Sequence, residues 1–338
     1  MKRFFVLGAF LVSVMATSES TSLAQPKQLP VKLNAETKFE IKHHIHCLTF
    51  SPDGKTLAVA EENVHLYDVS GESPKAIGVL KSRVGFGIRS IAFSPDGKLL
   101  AFGGCDHSVR VWDPTAQKEQ FRANDHRGDV RSVAFSPDGR LLASGSNDRT
   151  AILWSVANDG KLTEQSVIKA EDKFASAVCA VVFANKGKAL VTGGSNGTFR
   201  VFGLDKGVKQ AGGFKAKSGS GDVSVVSSPD GKLWGISDHK AVHLLTSAGA
   251  AAGTLEGHKE NVSDVAFSPD GKLLATVGRD GTLHVWSIAA KMPRITKERP
   301  GKFTSVAWAP VPDAAGNMVL AAGLEDGTVW ILKVGYGK

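Results

Sequence analysis

The sequence has few cysteines, no long apolar run beyond its first fifteen residues, and no cluster of basic residues. Three cysteines are too few for the disulfide framework of a small secreted scaffold. Nothing after residue 25 is apolar over the roughly 20 residues that a membrane helix needs. Lys and Arg total 41 against 33 Asp and Glu, a net charge of +8. Without a Lys/Arg cluster, this mild excess predicts no nucleic-acid partner.

Motifs for cofactor, metal and catalytic chemistry are missing as well. No glycine-rich phosphate-binding loop of either common type occurs. His44 and His46 share one face of an extended segment, but two histidines with no third ligand in sequence do not make a zinc site. We therefore expect no cofactor, no metal site and no catalytic residue.

The N-terminus differs sharply in composition from the rest of the chain. Met1-Lys2-Arg3 precedes an apolar run over residues 4–15 and a stretch of small and polar residues to 26. This layout is typical of a signal peptide. We predict a signal peptide at residues 1–24, with cleavage after Ala16 or an uncleaved anchor as alternatives, and a linker at residues 25–35. The mature chain is then expected to be secreted or periplasmic, without a membrane span.

The segment from His126 to Trp154 is the best copy of a unit that recurs along the chain. A β-branched and aromatic run ending at Phe135 is followed by Ser136-Pro137-Asp138-Gly139, an order that favours a type I turn. The turn predicts a hairpin, and two further apolar runs predict the next strands.

Two sets of four side chains keep one spacing within this unit. A hydroxyl residue follows a histidine by 18 residues, an aspartate follows by 4 more, and a tryptophan by 6 more. The sets are His126, Ser144, Asp148 and Trp154, and His258, Thr276, Asp280 and Trp286. Because these groups can satisfy one another's hydrogen bonds inside a sheet, we predict a structural role for all eight.

A strand-turn-strand unit with this set of residues resembles the WD40 repeat family, whose repeats each supply four strands of a propeller blade. The hairpin turn, or a degraded copy of it, starts at seven positions: 51, 94, 136, 184, 228, 268 and 309. The resemblance therefore implies an all-β, seven-bladed β-propeller of four-stranded antiparallel sheets over residues 36–338. It also implies that an N-terminal strand at 37–42 pairs beside residues 328–332 in the last blade and closes the ring.

The repeats are unequal copies. Blade 2 has Phe102 and Val84 where the hydroxyl and imidazole would be, and blade 7 has Leu332 at the tryptophan position, two residues after Trp330. Blade 5 has the shortest first strand, so local stability should be lowest there. Cys47 falls in the first blade and Cys179 in the fourth, which predicts free, mostly buried thiols.

The resemblance also implies where a partner binds. In WD40 proteins the residues that open the first strand, and the residue before the turn aspartate, commonly face one end of the channel. Equivalent positions include Cys179, Asn261, Ser263, Lys302 and Thr304. We predict that the partner-binding rim consists of His44, His46, Arg89, Asp129, Arg131, Arg279 and Glu325. Because arginine forks onto carboxylates, the expected ligand is an acidic protein or peptide, or a carboxylate-bearing polymer.

The leading hypothesis is an exported, monomeric, non-catalytic platform for protein–protein contacts. The enzyme alternative is a propeller hydrolase of lactonase type with its site at the channel mouth. Its only candidate residues, His44, His46, Asp129 and Glu325, come from distant blades. Two plainer interpretations stay open: the rim residues are ordinary solvated side chains paired to neighbours such as Asp129, or the domain stabilises a larger assembly passively.

Overall fold

Alternating apolar residues and repeated turns fold this chain into seven four-stranded antiparallel sheets. The computed structural model describes residues 30–82, 87–169, 176–205, 207–215 and 223–337. The first strands of neighbouring blades contact one another in a closed circle, from blade 1 round to blade 7 and back. The predicted all-β, seven-bladed propeller is confirmed.

Each blade has four strands, called a to d from the channel outward. Blade 1 contains β2 (Cys47–Phe50), β3 (Thr56–Ala60), β4 (Val64–Asp68) and β5 (Lys75–Leu80). Blade 2 contains β6 (Ile88–Phe93), β7 (Leu100–Gly104), β8 (Val109–Asp113) and β9 (Lys118–Ala123). Blade 3 contains β10 (Val130–Phe135), β11 (Leu141–Ser146), β12 (Thr150–Val156) and β13 (Leu162–Lys169). Blade 4 contains β14 (Val178–Ala184), β15 (Ala189–Gly194), β16 (Thr198–Gly203) and β17 (Lys209–Lys215).

The remaining blades follow the same order. Blade 5 contains β18 (Val225–Ser227), β19 (Leu233–Asp238), β20 (Ala241–Thr246) and β21 (Ala251–Glu256). Blade 6 contains β22 (Val262–Phe267), β23 (Leu273–Gly278), β24 (Thr282–Ser287) and β25 (Met292–Glu298). Blade 7 contains β26 (Phe303–Trp308), β27 (Met318–Leu324), β28 (Thr328–Tyr336) and the N-terminal strand β1 (Val31–Glu40).

The Ser-Pro-Asp-Gly turns are built alike in five blades. In blade 3, Ser136 Oγ donates to the Asp138 carboxylate at 2.6 Å, and the Gly139 N–H donates to the Ser136 carbonyl at 2.9 Å. Gly139 has φ 72°, a left-handed conformation that favours glycine. The degraded copy in blade 4 forms a 3₁₀ turn at Asn185–Gly187 instead.

Strand β1 closes the ring. It pairs antiparallel with β28, with Thr37 opposite Ile331 and Glu40 opposite Thr328. The predicted closure is therefore present, but the strand is longer than expected at its start. Residues 31–35, assigned from sequence to a linker, belong to β1, while the strand ends at Glu40 rather than residue 42.

The hydrophobic core is divided among the junctions between blades. One cluster combines Val242 and Leu255 of blade 5 with Val265, Leu274 and Trp286 of blade 6. Full burial of each such side chain is worth about 1.5–3 kcal/mol. Each blade is thus stabilised chiefly by its neighbours.

Hydrogen bonds also join neighbouring blades close to the channel. The N–H of Val133 in blade 3 donates to Ser90 Oγ in blade 2 at 3.0 Å, and Val181 donates to Ser132 Oγ at 3.1 Å. Leu48 of blade 1 donates to Ser305 Oγ of blade 7 at 3.3 Å. These bonds fix the spacing of the inner strands that carry the channel mouth.

The first strand of blade 5 and the three cysteines were also subjects of sequence predictions. Strand a of blade 5 spans only Val225–Ser227, the shortest of the strands described. Cys47, Cys105 and Cys179 form no disulfide among the described residues, and each is half-buried rather than buried.

Candidate interaction site at the channel mouth

A repeated backbone irregularity places the rim side chains. The pairing of strands a and b shifts register once in blades 2, 3, 4, 6 and 7, between the first and third residues of strand a. The residue at the shift is Arg89, Arg131, Cys179, Ser263 or Thr304. Such a bulge re-aims the side chain of the extra residue, and all five of these residues line one cavity.

This cavity lies at the channel mouth and has a volume of about 420 Å³. Six of the seven predicted rim residues line it: His44, His46, Arg89, Arg131, Arg279 and Glu325. Lys302 and Asn261, which hold equivalent positions, line it as well. These eight residues come from five blades, and the complete lining includes residues of all seven, which are far apart in sequence.

Asp129 does not line the cavity. Its carboxylate lies 3.5 Å from His107 Nε2 of blade 2, and its carbonyl accepts a bond from the Asn147 N–H. The loop before strand a of blade 3 thus turns this side chain toward the neighbouring blade. Asp129 is removed from the candidate site.

The cavity wall carries more positive than negative groups. Glu325 is shared between Lys302 Nζ at 3.6 Å and His44 Nδ1 at 3.9 Å. Burial, together with the nearby charges of His44 and Arg89, lowers the pKa of His46 to about 4, so His46 is neutral at pH 7. The permanent cations on the wall are Arg89, Arg131, Arg279 and Lys302.

Asp264 also lines the cavity, and the sequence did not predict it as a site residue. Its carboxylate accepts bonds from Ser224 Oγ at 2.9 Å, Ser305 Oγ at 3.0 Å and the Val306 N–H at 3.0 Å. It thereby ties blade 6 to blades 5 and 7, and burial raises the pKa of its carboxyl. The available signal was its position, since blades 2, 3 and 7 have serine there.

The two predicted four-residue sets form hydrogen-bond networks inside blades 3 and 6. In blade 3, His126 Nε2 lies 2.8 Å from Ser144 Oγ and Nδ1 lies 2.8 Å from the Asp148 carboxylate. Trp154 Nε1 donates to Ser144 Oγ at 3.0 Å. Burial raises the pKa of Asp148, but bonds from Thr150, the Arg127 N–H and His126 outweigh it and lower the pKa overall.

The set in blade 6 has the same arrangement. His258 Nε2 lies 2.7 Å from Thr276 Oγ1, and Trp286 Nε1 donates to the same oxygen at 2.9 Å. His258 Nδ1 lies 3.2 Å from the Asp280 carboxylate. Hydrogen bonds lower the pKa of Asp280 to about 2, despite burial, which acts in the opposite direction.

In blades 1, 2 and 5, which lack this set, a basic residue on strand c, two positions before the tryptophan position, contacts a carboxylate instead. In blade 2, Arg110 contacts the Asp106 carboxylate, and its Nη1 lies 3.3 Å from Glu119. In blades 1 and 5, His65 lies 2.7 Å from Glu61 and His243 lies 3.2 Å from Asp238. Sequence reasoning missed this substitution because it looked for histidine only at the start of each blade.

The hydrolase alternative needs convergent acids and histidines. Three of its four candidates, His44, His46 and Glu325, line the cavity, whereas Asp129 lies outside it. Over the described residues, no group of three or more His, Cys, Asp or Glu side chains could hold a metal ion.

Comparison with known proteins identifies the repeats. The family model for the WD domain, G-beta repeat, matches residues 35–68, 75–113, 118–155 and 249–287. The chain belongs to the WD40 repeat family. The matched segments include all eight residues of the two four-residue sets.

Several WD40 relatives match short parts of the chain. The periodic tryptophan protein 2 homolog of Dictyostelium discoideum is 40% identical over 22% of this chain and 8% of its own length. Ribosomal RNA-processing protein 9 of Saccharomyces cerevisiae is 41% identical over 20% of this chain and 12% of its own. The target of rapamycin complex subunit wat1 of Schizosaccharomyces pombe is 42% identical over 19% and 21%. The chain thus spans at most about a fifth of each of these three relatives.

These relatives correct the predicted location. Ribosomal RNA processing and a target of rapamycin complex belong to the interior of the cell, which points to a non-secreted WD40 protein. The prediction of a secreted or periplasmic chain is wrong. The predicted signal peptide at residues 1–24 lies outside the described residues. Within the described ranges, no helix is long and apolar enough to cross a membrane.

Proposed function

We propose that this WD40 propeller is a monomeric, non-catalytic protein-interaction platform that binds an acidic peptide segment of a partner at its channel mouth. The family and the relatives are consistent with an interaction platform in general. Binding at the mouth is the more specific proposal, and the position of the bulged rim residues supports it.

The single observation that carries the proposal is the pair Arg89 and Arg131. They hold the same bulged position in consecutive blades, and both line the cavity. A guanidinium offers two parallel N–H donors to one carboxylate. Two such groups on adjacent blades suit two acidic side chains of one extended peptide, since residues two apart in a strand lie on the same face.

The other cations on the wall extend the same preference. Arg279 of blade 6 and Lys302 of blade 7 line another part of the cavity, where Lys302 Nζ lies 3.6 Å from Glu325. Lys302 and Glu325 are both exposed, so their pairing is worth little and a ligand carboxylate can compete for Lys302.

The test is fluorescence anisotropy with a labelled twelve-residue peptide of alternating Glu and Ser. We expect the double variant Arg89→Glu/Arg131→Glu to weaken binding at least tenfold, which is about 1.4 kcal/mol. Binding to the unmodified chain should also fall as salt is raised, because the contacts are charged and partly exposed.

The matched control reverses two charges on the opposite face. Lys98 and Lys232 follow Ser-Pro-Asp-Gly turns, at the other end of strand a, and their side chains are about 80% exposed. Lys98→Glu/Lys232→Glu changes the net charge equally and should leave the affinity unchanged. Equal loss in both double variants, or no loss in either, contradicts binding at the mouth.

A further inference from the structure

A second cavity lies on the opposite face of the propeller, between blades 1 and 2. It has a volume of about 590 Å³ and opens beside the Ser-Pro-Asp-Gly turns of both blades. Its apolar and polar lining includes Pro52, Leu66, Ile77, Phe93, Pro114 and Gln117. Ile77 lies on β5, the outermost strand of blade 1, and is 49% exposed, which is unusual for isoleucine.

The next junction shows why this groove is open. In blade 3, Leu162 begins strand d opposite Val156, is only 4% exposed and packs with Val111 of blade 2. The residue at that place in blade 2 is Gln117, which directly precedes strand d. Its Nε2 donates to the Ile77 carbonyl at 3.2 Å. At this junction the polar side chain of Gln117 bonds to a backbone carbonyl. At the next junction the aliphatic side chain of Leu162 occupies the corresponding place.

The two junctions also differ in the character of their cavities. The cavity between blades 2 and 3 is about 250 Å³, and mostly polar or charged residues such as Lys98, Asp113 and Asp159 line it. The groove between blades 1 and 2 is larger and has exposed aliphatic and aromatic surface. Exposed apolar surface with a polar border is typical of binding sites.

The charged groups that line the groove are both acidic. Asp53 and Asp96 lie at its edge, and no Lys, Arg or His among the described residues lines it. Hydrogen bonds from Ser51 and Ser94 lower the pKa of these two carboxyls, so both are ionised at pH 7. Lys98 lies 3.8 Å from Asp96, but that pair is highly exposed and contributes little.

We propose that this groove binds a linear segment of a partner protein in which an apolar side chain is followed within two residues by Lys or Arg. The apolar side chain packs between Ile77 and Phe93, and the cation is attracted to Asp53 and Asp96. The groove and the channel mouth lie at opposite ends of the strands, so one propeller joins a basic-apolar segment on one face to an acidic segment on the other.

The experiment uses a displayed library of twelve-residue random peptides selected on the immobilised chain, followed by anisotropy with the enriched peptides. We expect enrichment of an apolar residue next to Lys or Arg. Ile77→Asp should weaken binding at least tenfold, and Asp53→Asn/Asp96→Asn several-fold, since Asn keeps the turn acceptor and loses the charge.

Two controls separate this proposal from the others. Val79→Asp changes the same strand two residues away, outside the groove lining, and should leave binding intact. Arg89→Glu/Arg131→Glu should also leave it intact, so failure here and failure at the channel mouth are distinguishable. Enriched peptides without the basic-apolar pattern, or affinity insensitive to Ile77→Asp, overturn the proposal. A dimer that Ile77→Asp dissociates in sedimentation assigns the groove to a second copy and overturns it too.

Discussion

Trp154 Nε1 donates a 3.0 Å hydrogen bond to Ser144 Oγ in the centre of blade 3. That bond leaves the hydroxyl hydrogen of Ser144 for His126 Nε2, at 2.8 Å, and the His126 Nδ1 hydrogen for Asp148. With the hydrogens assigned in this way every donor has one acceptor, and Asp148, whose pKa is lowered overall, is ionised at pH 7. The order of donors runs from the tryptophan to the turn between strands b and c.

Replacing the hydroxyl at the centre of this set should be costly. Ser144→Ala leaves the Trp154 N–H and His126 Nε2 without partners, and a buried orphan group costs about 1–3 kcal/mol. We expect the free energy of unfolding to fall by about 2–4 kcal/mol in urea denaturation. Ser155→Ala, which removes a more exposed hydroxyl from the same blade, should cost less than about 0.5 kcal/mol. Equal effects would show that the set is not a stabilising network.

Arg110 should be indispensable to blade 2. Its side chain is 3% exposed and contacts Asp106, Glu119 and Ser108. Arg110→Ala removes the ion-pair partner of the partly buried Asp106 carboxylate, whereas Glu119 keeps its pair with Arg122. We expect a cost of about 3–5 kcal/mol. Arg110→His, which copies the residue of blades 1 and 5, should recover part of that loss.

The control for Arg110 is its neighbour on strand d. Arg122 also pairs with Glu119, at 3.0 Å, but its side chain is 41% exposed. Arg122→Ala should cost less than about 1 kcal/mol. A similar loss for both arginines, measured by the same denaturation curves, would contradict a special role for the buried one.

Asp264 should stabilise the propeller mainly by accepting hydrogen bonds from the neighbouring blades, and not only through its charge. Asp264→Ala removes the acceptor for the Val306 N–H and two serine hydroxyls, and we expect a loss of about 2–4 kcal/mol in unfolding free energy. Asp264→Ser introduces the residue found at this position in blades 2, 3 and 7 and should recover part of the lost stability. Ser263→Ala, one residue away on the cavity wall, should be nearly neutral. If Asp264→Ser is as damaging as Asp264→Ala, the inter-blade bond is not the cause.

Stability should decrease as the pH falls from about 6.5 to about 4. Burial lowers the pKa of His284 to about 4, and it lowers the pKa of His258 and His46 as well. Below pH 6.5 these histidines are therefore protonated in the unfolded chain but not in the folded chain. The free energy of unfolding then falls by up to about 1.4 kcal/mol per pH unit for each such proton. The contribution is fully present above pH 6.5 and is lost as the pH approaches 4.

The pH effect can be assigned with one pair of variants. In denaturation curves at pH 7.5, 5.5 and 4.5, His284→Leu should show a smaller decrease in unfolding free energy than the unmodified chain. His107→Asn changes a histidine whose side chain is 47% exposed, at a position with φ 66° that asparagine tolerates. It should keep the original pH dependence. Identical slopes in all three proteins would exclude the buried imidazole as the source.

Local turn chemistry made the fold predictable, while contacts between blades did not follow from it. The turn that Ser136 and Gly139 form recurs in five blades, and these five turns together with the two degraded copies give the count of seven blades. Arg110 and Asp264 depend on which groups the neighbouring strand or blade presents. No spacing rule shows that in advance.

The rim was predictable only as far as its repeat positions. Arg89 and Arg131 are the second residues of their strands, and the β-bulge at this position recurs from blade to blade. Asp129 precedes its strand in a loop, where the backbone is free to turn its side chain toward His107. The location was predicted from the first 24 residues alone, and composition over so short a stretch says little about the rest of the chain.

Pairing β1 with β28 has a consequence for the order in which the protein acquires structure. During synthesis, residues 31–40 leave the ribosome early, and their partners at 328–336 come last. Blades 1 to 6 can assemble from local contacts as they emerge, whereas the final closure must wait for a contact about 290 residues away, which is slow to form. Until then both edges stay exposed to other chains, and loss of the last ten residues would make that vulnerable state permanent.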